Sequence, residues 1–243
     1  MDRQVYDRMR GLEDRHWWFR ARRDILSDQI GRLGLPAGAS VLEVGCGTGG
    51  NLGMLARFGA VTGLEPDDEA RGFAAEKSGV PVESGLLPDG LPFQPEQFDL
   101  VAALDVIEHV DDDAGSVRAL GRLLKPGGFM VTTVPAYSWM WSHHDELHHH
   151  KRRYGLGGYR RLFDDAGLTV RKASYFNTAL FAPIALVRLA KLLLRLKGAD
   201  EDSMPNAAVN GLFRGLFAGE RLWLRGASFP FGVSILLIAE RPA

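Results

Sequence analysis

The sequence predicts an α/β fold in which short buried strands alternate with helices around a parallel sheet. Four apolar runs, Val41–Val44, Val61–Leu64, Phe98–Leu104 and Met130–Val134, are each only a few residues long and separated by helical patterns. That rhythm belongs to βαβ units. The second observation is local. After Val41, Leu42 and Val44 the chain collapses into Gly45, Gly47, Gly49 and Gly50, then resumes as an apolar helical pattern at Leu52, Leu55 and Ala56. A strand, a glycine-rich turn and a helix make a cradle for a nucleotide-like ligand. Glycine lets the backbone approach closely, and the helix N-terminus offers free N–H groups.

Gly45, Gly47 and Gly50 fit G-x-G-x-x-G, and Glu65 follows Gly45 by twenty residues at the end of the second apolar run. A carboxylate there is placed to accept hydrogen bonds from both hydroxyls of a ribose, as in dinucleotide sites. The surrounding wording distinguishes the two. Glu43-Val-Gly-Cys-Gly-Thr-Gly49 resembles the E/D-x-G-x-G-x-G motif of class I S-adenosylmethionine (SAM)-dependent methyltransferases. Phe98–Asp105, Ile107-Glu-His-Val110 and Leu123-Leu-Lys-Pro-Gly-Gly-Phe129 leading into Met130–Pro135 match that family in the expected order. The resemblance is close over residues 39–135 and looser elsewhere. It implies a Rossmann-like three-layer sandwich with a seven-stranded, mostly parallel sheet whose last strand is antiparallel. It also implies SAM as cofactor, bound by Glu43, Gly45, Cys46, Gly47, Glu65, Pro66, Leu86 and Leu104. The domain would occupy 39–243, with insertions at 135–155 and 176–224, behind an N-terminal helical lid at 1–38.

At 243 residues, with 46% hydrophobic and 24% charged side chains, the chain suffices for one such domain with additions. Its one cysteine, Cys46, excludes an internal disulfide framework and suits a reducing cytoplasm. Met1–Tyr6 holds no apolar segment, so no signal peptide is expected, and no run reaches the length of a membrane span. The net charge of −1 is polarised. Fourteen acidic residues face two basic ones between Glu65 and Asp113, and eleven basic face two acidic between Lys151 and Lys197. Such asymmetry orients a molecule toward an anionic partner or surface, or marks two solvated faces of opposite sign.

In chain order, residues 3–33 read as one arginine-rich helical stretch centred on His16-Trp-Trp-Phe-Arg-Ala-Arg-Arg23. Three consecutive aromatics cannot share one helix face. The family's N-terminal lids imply that Trp17, Trp18 or Phe19 closes over cofactor or acceptor, with Arg20 or Arg23 near a carboxylate or phosphate. Ordinary docking on the core is the competing expectation. Pro66-Asp-Asp-Glu69 is the acidic first turn of a helix running to Lys77, and Gly79–Glu83 is a short third strand. Relatives carry an acidic residue just after that strand, whereas here only Asp89 follows, several residues late and beside Pro88 and Gly90. The backbone of Gly85–Leu87 is therefore expected to hold adenine, with Leu86 or Leu87 on its face.

Phe98–Leu104 reads as a strand buried on both faces. A helix from Asp112 to Leu124 is stopped by Lys125-Pro-Gly-Gly128, and a fifth strand follows. The next segment, 135–154, is expected to overhang the crevice with Tyr137, Trp139, Trp141 and five histidines, and to recognise the acceptor. A helix at 156–166, a strand at 168–175, a helix at 206–224 and an apolar strand at 231–240 complete the pattern. Between them, 176–197 places Arg188, Lys191 and Arg195 at spacings of three and four among leucines. A basic stripe beside an apolar face is the composition of an interfacial helix. Peripheral membrane contact through 176–197 is one expectation, and packing on the sheet or in a homodimer through 176–224 the other. Ligands of an open parallel sheet bind beyond the carboxyl ends of its strands. Gly45, Glu65, Leu104–Asp105 and Pro135 should therefore share one crevice.

Methyl transfer from a sulfonium needs orientation more than covalent help. A hydroxyl acceptor benefits from a base, for which Asp105, His109 and His144 are the candidates. Asp105, Glu108 and His109 resemble the acid-x-x-Glu-His segment of quinone O-methyltransferases associated with a divalent metal, but the Glu-His pair is widespread in the wider family. His144 and His148 stand at the i, i+4 spacing of a zinc pair, yet in a hydrophilic loop without cysteine. No metal site is assigned. The expected function is methyl transfer to oxygen of a small, lipophilic or membrane-associated acceptor. The rivals are an NAD(P)-dependent oxidoreductase, disfavoured by the absence of Tyr-x-x-x-Lys near the fifth strand, and a SAM-binding scaffold without turnover. Nucleic acid as acceptor is disfavoured, since no Asn/Asp-Pro-Pro-aromatic motif occurs.

Overall fold

The apolar runs become strands of one sheet. In a computed structural model describing residues 3–193 and 203–243, they are β1 (Ala39–Val44), β2 (Gly59–Leu64), β3 (Val82–Glu83), β4 (Phe98–Leu104), β5 (Leu124–Pro135), β6 (Thr169–Phe176) and β7 (Ser234–Glu240). Their order is β3-β2-β1-β4-β5-β7-β6. β7 runs antiparallel between β5 and β6, and the other pairings are parallel. The expected seven-stranded sheet with an antiparallel last strand is present.

Strand side chains alternate between faces, and the core divides accordingly. Val41, Leu100, Ala102, Val131, Leu236 and Ile238 belong to one apolar cluster, whereas Leu42, Val101, Ala103, Met130, Leu237 and Ala239 belong to the other. The first cluster is covered by α2 (Trp17–Ile30), α3 (Leu52–Leu55), α4 (Asp68–Ser78) and α9 (Ala207–Leu224). The second is covered by α5 (Asp113–Leu123) and α7 (Leu156–Asp165). Helix, sheet and helix make the three layers. The remaining helices are α1 (Arg3–Leu12), α6 (His143–Leu147) and α8 (Phe181–Leu193).

The N-terminal stretch is two helices rather than one. It breaks over Glu13–His16, and the His16 side chain accepts from the Trp18 N–H at 3.3 Å to cap α2. α9 then packs along α2. Trp17 meets Phe213 edge-on with ring centres 5.5 Å apart, and Arg214 and Arg225 pair with Asp24 and Asp28. The Lys125–Gly128 stop is a bulge instead of a clean boundary. Leu124 already pairs with Phe98, Gly127 turns with φ +76°, and regular pairing resumes at Phe129 with Leu100.

The basic stripe is also different from its expectation. Arg188 turns inward and donates to the Met140 carbonyl at 2.9 Å, while the side chain of Lys191 and all of Arg195 lie outside the described residues. Among the described residues no helix is long and apolar enough to cross a membrane.

Candidate active site

The carboxyl ends of β1, β2, β4 and β5 open onto one cavity of about 990 Å³. That is at the upper end of the range of roughly 300–1,000 Å³ usual for small-ligand sites. Gly45, Cys46, Gly47, Glu65, Pro66, Leu86, Leu104, Asp105, His109 and His144 all line it. Glu43 does not: it lies beneath the loop.

The glycine loop is shaped by close approach. Gly45 has φ +62°, and a Cβ there would stand 2.7 Å from Val106 Cγ2. At Gly50 a Cβ would stand 2.4 Å from Glu13 Oε2. The loop is pinned to β2, because Cys46 N–H donates to the Leu64 carbonyl (3.1 Å) and Gly47 N–H to Glu65 Oε2 (2.8 Å). Glu65 Oε1 accepts from Asp67 N–H (3.1 Å) and from the Tyr6 hydroxyl (3.2 Å). Burial raises the Glu65 carboxyl above its ordinary range despite these donors.

Glu43 is buried, and burial pushes its carboxyl up to about 8. Asn51 donates to Oε1 at 2.8 Å, and Oε2 has no partner among the described residues.

Glu13, in the turn between α1 and α2, is a residue that sequence reasoning missed. It is buried, and it accepts from Thr48 Oγ1 (2.9 Å) and Lys77 Nζ (2.6 Å), while its carbonyl accepts from Arg23 (2.6 Å). It thereby fastens the N-terminal helices to the glycine loop and to α4. Nothing in the local sequence distinguishes it from a solvated acid. Trp17, Trp18 and Phe19 all reach the cavity wall, with Arg22 and Arg23.

Beyond β4 the site changes character. Asp105 takes a left-handed conformation (φ +60°), uncommon for a residue with a Cβ and often found at working sites. Its Oδ2 pairs with Arg22 Nη2 at 2.8 Å and its Oδ1 accepts from Thr133 Oγ1 at 2.9 Å. Both oxygens are thus committed, which makes Asp105 an anchor for α2 and a poor base. Glu108 and His109 occupy a 3-10 turn, Ile107–His109. Glu108 is fully buried, neither carboxylate oxygen has a hydrogen-bond partner among the described residues, and burial with the nearby Asp105 charge raises its carboxyl well above the ordinary range. Burial and the neighbouring His150 and His148 push the His109 imidazole down to about 3, so it stays neutral.

The segment after β5 delivers histidines rather than aromatics. His144, His148 and His150 line the cavity. Tyr137 and Trp139 stack away from it, in a cluster with Tyr175 and Phe181. His150 Nδ1 is 2.8 Å from Asp145 Oδ1, and Arg153 Nε donates to the same oxygen at 2.7 Å. Burial would raise Asp145, but these two partners outweigh it and hold the carboxyl below the usual range. The far wall is apolar: Leu180, Pro183, Ile184 and Val187 from α8 and its approach, and Phe213 from α9.

Residues 17–173 match a family described as a methyltransferase domain. Ubiquinone biosynthesis O-methyltransferase from Aeromonas salmonicida is 31% identical over 183 residues, covering 68% of this chain and 74% of that protein. The enzyme of the same name from Methylocella silvestris is 38% identical over 126 residues, 46% of this chain and 49% of its own length. The chain spans about half the length of most such relatives. In three dimensions it is similar to the methyltransferase of a Haloferax volcanii complex with the activator Trm112, with TM-score 0.65, 22% identity, and 99% and 95% of the two chains covered. It is also similar to geranyl diphosphate C-methyltransferase from Streptomyces coelicolor, with TM-score 0.61, 18% identity, and 91% and 75% covered. These two structures share the fold.

Proposed function

The chain belongs to the methyltransferase-domain family, and from that premise we propose that it is a SAM-dependent methyltransferase acting at oxygen on a small lipophilic acceptor of quinone type. The observation that supports this best is the division of one cavity into two ends. One is a glycine cradle with a buried carboxylate, and the other is an apolar wall from α8 and α9 edged with histidines. The cradle fits a nucleoside-bearing sulfonium. Glu65 accepts from the ribose hydroxyls, the backbone of Gly85–Leu87 holds the base, and the Gly45–Gly47 turn takes the amino-acid end.

When bound, SAM supplies a methyl group already activated by its positive sulfur. The protein's task is then to aim an acceptor oxygen and remove its proton. Trp18 and Phe19 close the cavity from the lid side and exclude water. Leu180, Ile184 and Val187 orient the apolar part of the acceptor. His144 takes the hydroxyl proton, because Asp105 is held by Arg22 and the buried His109 resists protonation. Residues 1–38 act as the lid, fastened through Glu13 and Tyr6. Exposed leucines of α8 rest on the lipid surface from which such an acceptor is drawn.

The test is calorimetric titration with SAM, S-adenosylhomocysteine, NAD and NADP in parallel, followed by methyl transfer assays on lipophilic phenols. Micromolar binding of the first two alone, with turnover, is expected. Binding of a nicotinamide cofactor instead would overturn the assignment.

A further inference from the structure

α1 lies across the cofactor end of the cavity, which Tyr6, Met9 and Leu12 line. The Tyr6 hydroxyl donates to Glu65 Oε1 at 3.2 Å, and Glu65 is only 3% exposed. We infer that Tyr6 fills the place of a ribose hydroxyl on Glu65, so that an adenosine-bearing ligand must displace it and thereby frees α1 from the mouth of the site. The exchange rests on the reading of Glu65 as the ribose ligand.

A count of acceptor positions shows why both cannot bind. A carboxylate offers about four lone-pair positions, two on each oxygen. Asp67 N–H (3.1 Å) and the Tyr6 hydroxyl occupy Oε1, and Gly47 N–H (2.8 Å) occupies one position of Oε2. A ribose diol reaching across the carboxylate needs one position on each oxygen. Oε2 has one left, and Oε1 has none. The two backbone donors belong to the turns after β1 and β2 and cannot leave without unmaking them. The Tyr6 hydroxyl can leave, because it sits on a lightly held helix.

The contrast with the next helix makes this plain. Among the described residues of α1 none is buried: Tyr6, Met9 and Leu12 are half-buried, and Arg8, Arg10 and Gly11 are exposed. Arg10 rests on the Phe73 ring at 3.8 Å, a contact worth little at an exposed position. α2 instead buries Ala21, Ile25, Leu26 and Ile30 and pairs Arg22 with Asp105. Between the two helices Glu13 is fixed by Thr48 and Lys77. α1 can therefore swing about Glu13 while α2 and the glycine loop stay in place.

The contact also has a use before the cofactor arrives. A buried carboxylate gains from every donor it meets, and Tyr6 supplies one until the ribose does. The swap lowers the apparent cofactor affinity by the share of molecules in which Tyr6 is latched. It also ties cofactor entry to opening of the helix over the cavity.

Calorimetric titration with S-adenosylhomocysteine, with hydrogen exchange of the α1 amides measured alongside, tests the exchange. Tyr6→Phe keeps the ring and loses the hydroxyl. It is expected to bind roughly three- to tenfold tighter, the effect of one hydrogen bond that no longer competes. In the parent protein the ligand should speed amide exchange across α1 and slow it at Gly47 and Asp67. Weaker binding by Tyr6→Phe, or slower exchange across α1 on binding, would show that Tyr6 stays in the cofactor site and would overturn the exchange. Glu65→Ala locates any failure. Parent-like affinity in that variant overturns the ribose reading and the exchange together, whereas a large loss there beside unchanged affinity in Tyr6→Phe overturns the exchange alone. Circular dichroism melts confirm that each variant is folded.

Discussion

The two ends of the cavity are built in different ways. At the cofactor end, Glu65 is held by N–H groups of Gly47 and Asp67, which belong to the turns after β1 and β2. Its geometry follows from the sheet, and it suits a ligand that does not vary. At the acceptor end, the wall is assembled from the turn after β4, the segment after β5, α8 and α9. Those pieces are far apart in sequence and lie outside the sheet, and Glu108 is left there without hydrogen-bond donors among the described residues. On the proposed reading, a fixed half binds the common reagent and an added half selects what it is used on.

If the fixed half works as described, its largest single dependence is on Glu65. Glu65→Ala removes acceptors for two ribose hydroxyls, each bond to a charged group contributing about 1.5–3 kcal/mol. It also releases Gly47 N–H. The expected loss of SAM affinity is roughly 1,000-fold, about 4 kcal/mol, measured by calorimetry. Affinity within tenfold of the parent would show that the ribose is held elsewhere and that the two ends are less distinct than drawn.

The next largest effect is on stability. Burial pushes Glu43 up to about 8, against an unfolded value of about 4.3. Between those values the folded chain keeps a proton that the unfolded chain releases. Stability therefore falls as pH rises across that window, with a slope of at most about 1.4 kcal/mol per pH unit. Glu43→Gln keeps the shape and a neutral side chain beside Asn51. It should flatten the slope and stabilise the protein at pH 8 by a few kcal/mol, with about 4.5 as the ceiling, while changing little below pH 4. Denaturant melts at several pH values check this. Parallel curves for parent and variant would place the charge of Glu43 outside the balance of folding.

The contrast between the halves also explains what was legible in the sequence. Strands and turns announce themselves locally, through short continuous apolar runs and glycines. Gly45 and Glu65 follow from glycine spacing and a strand end, whereas Leu104 as a cofactor contact rests on the family resemblance. Glu13 was invisible because its partners Thr48 and Lys77 lie 35 and 64 residues away, and an acid between two helical patterns looks solvated. The histidine-rich segment was seen, but not which histidines turn inward. That depends on Asp145 and Arg153 buried beneath it. Arg188 was misread for the same reason. Helical spacing shows which residues share a face but not what that face meets, and here it meets the Met140 carbonyl.

The smallest effect concerns the outer side of the added half. Leu186 is 67% exposed and Leu189 45% exposed on α8, whose neighbours Ile184 and Val187 line the cavity. One face of this helix is thus apolar toward the cavity and the other apolar toward solvent. Burying two leucines in the boundary of a bilayer is worth up to about 1.5–3 kcal/mol each when complete, and less for a shallow contact. Leu186→Ser with Leu189→Ser should lower co-sedimentation with phosphatidylglycerol vesicles by about tenfold, without changing SAM affinity at the other end of the cavity. The exposed leucines are separable from the interior wall, so turnover of a detergent-dispersed acceptor should survive the double change while turnover of a vesicle-borne one falls. Equal loss with both acceptor forms would mean that α8 shapes the pocket alone and that lipid contact plays no part.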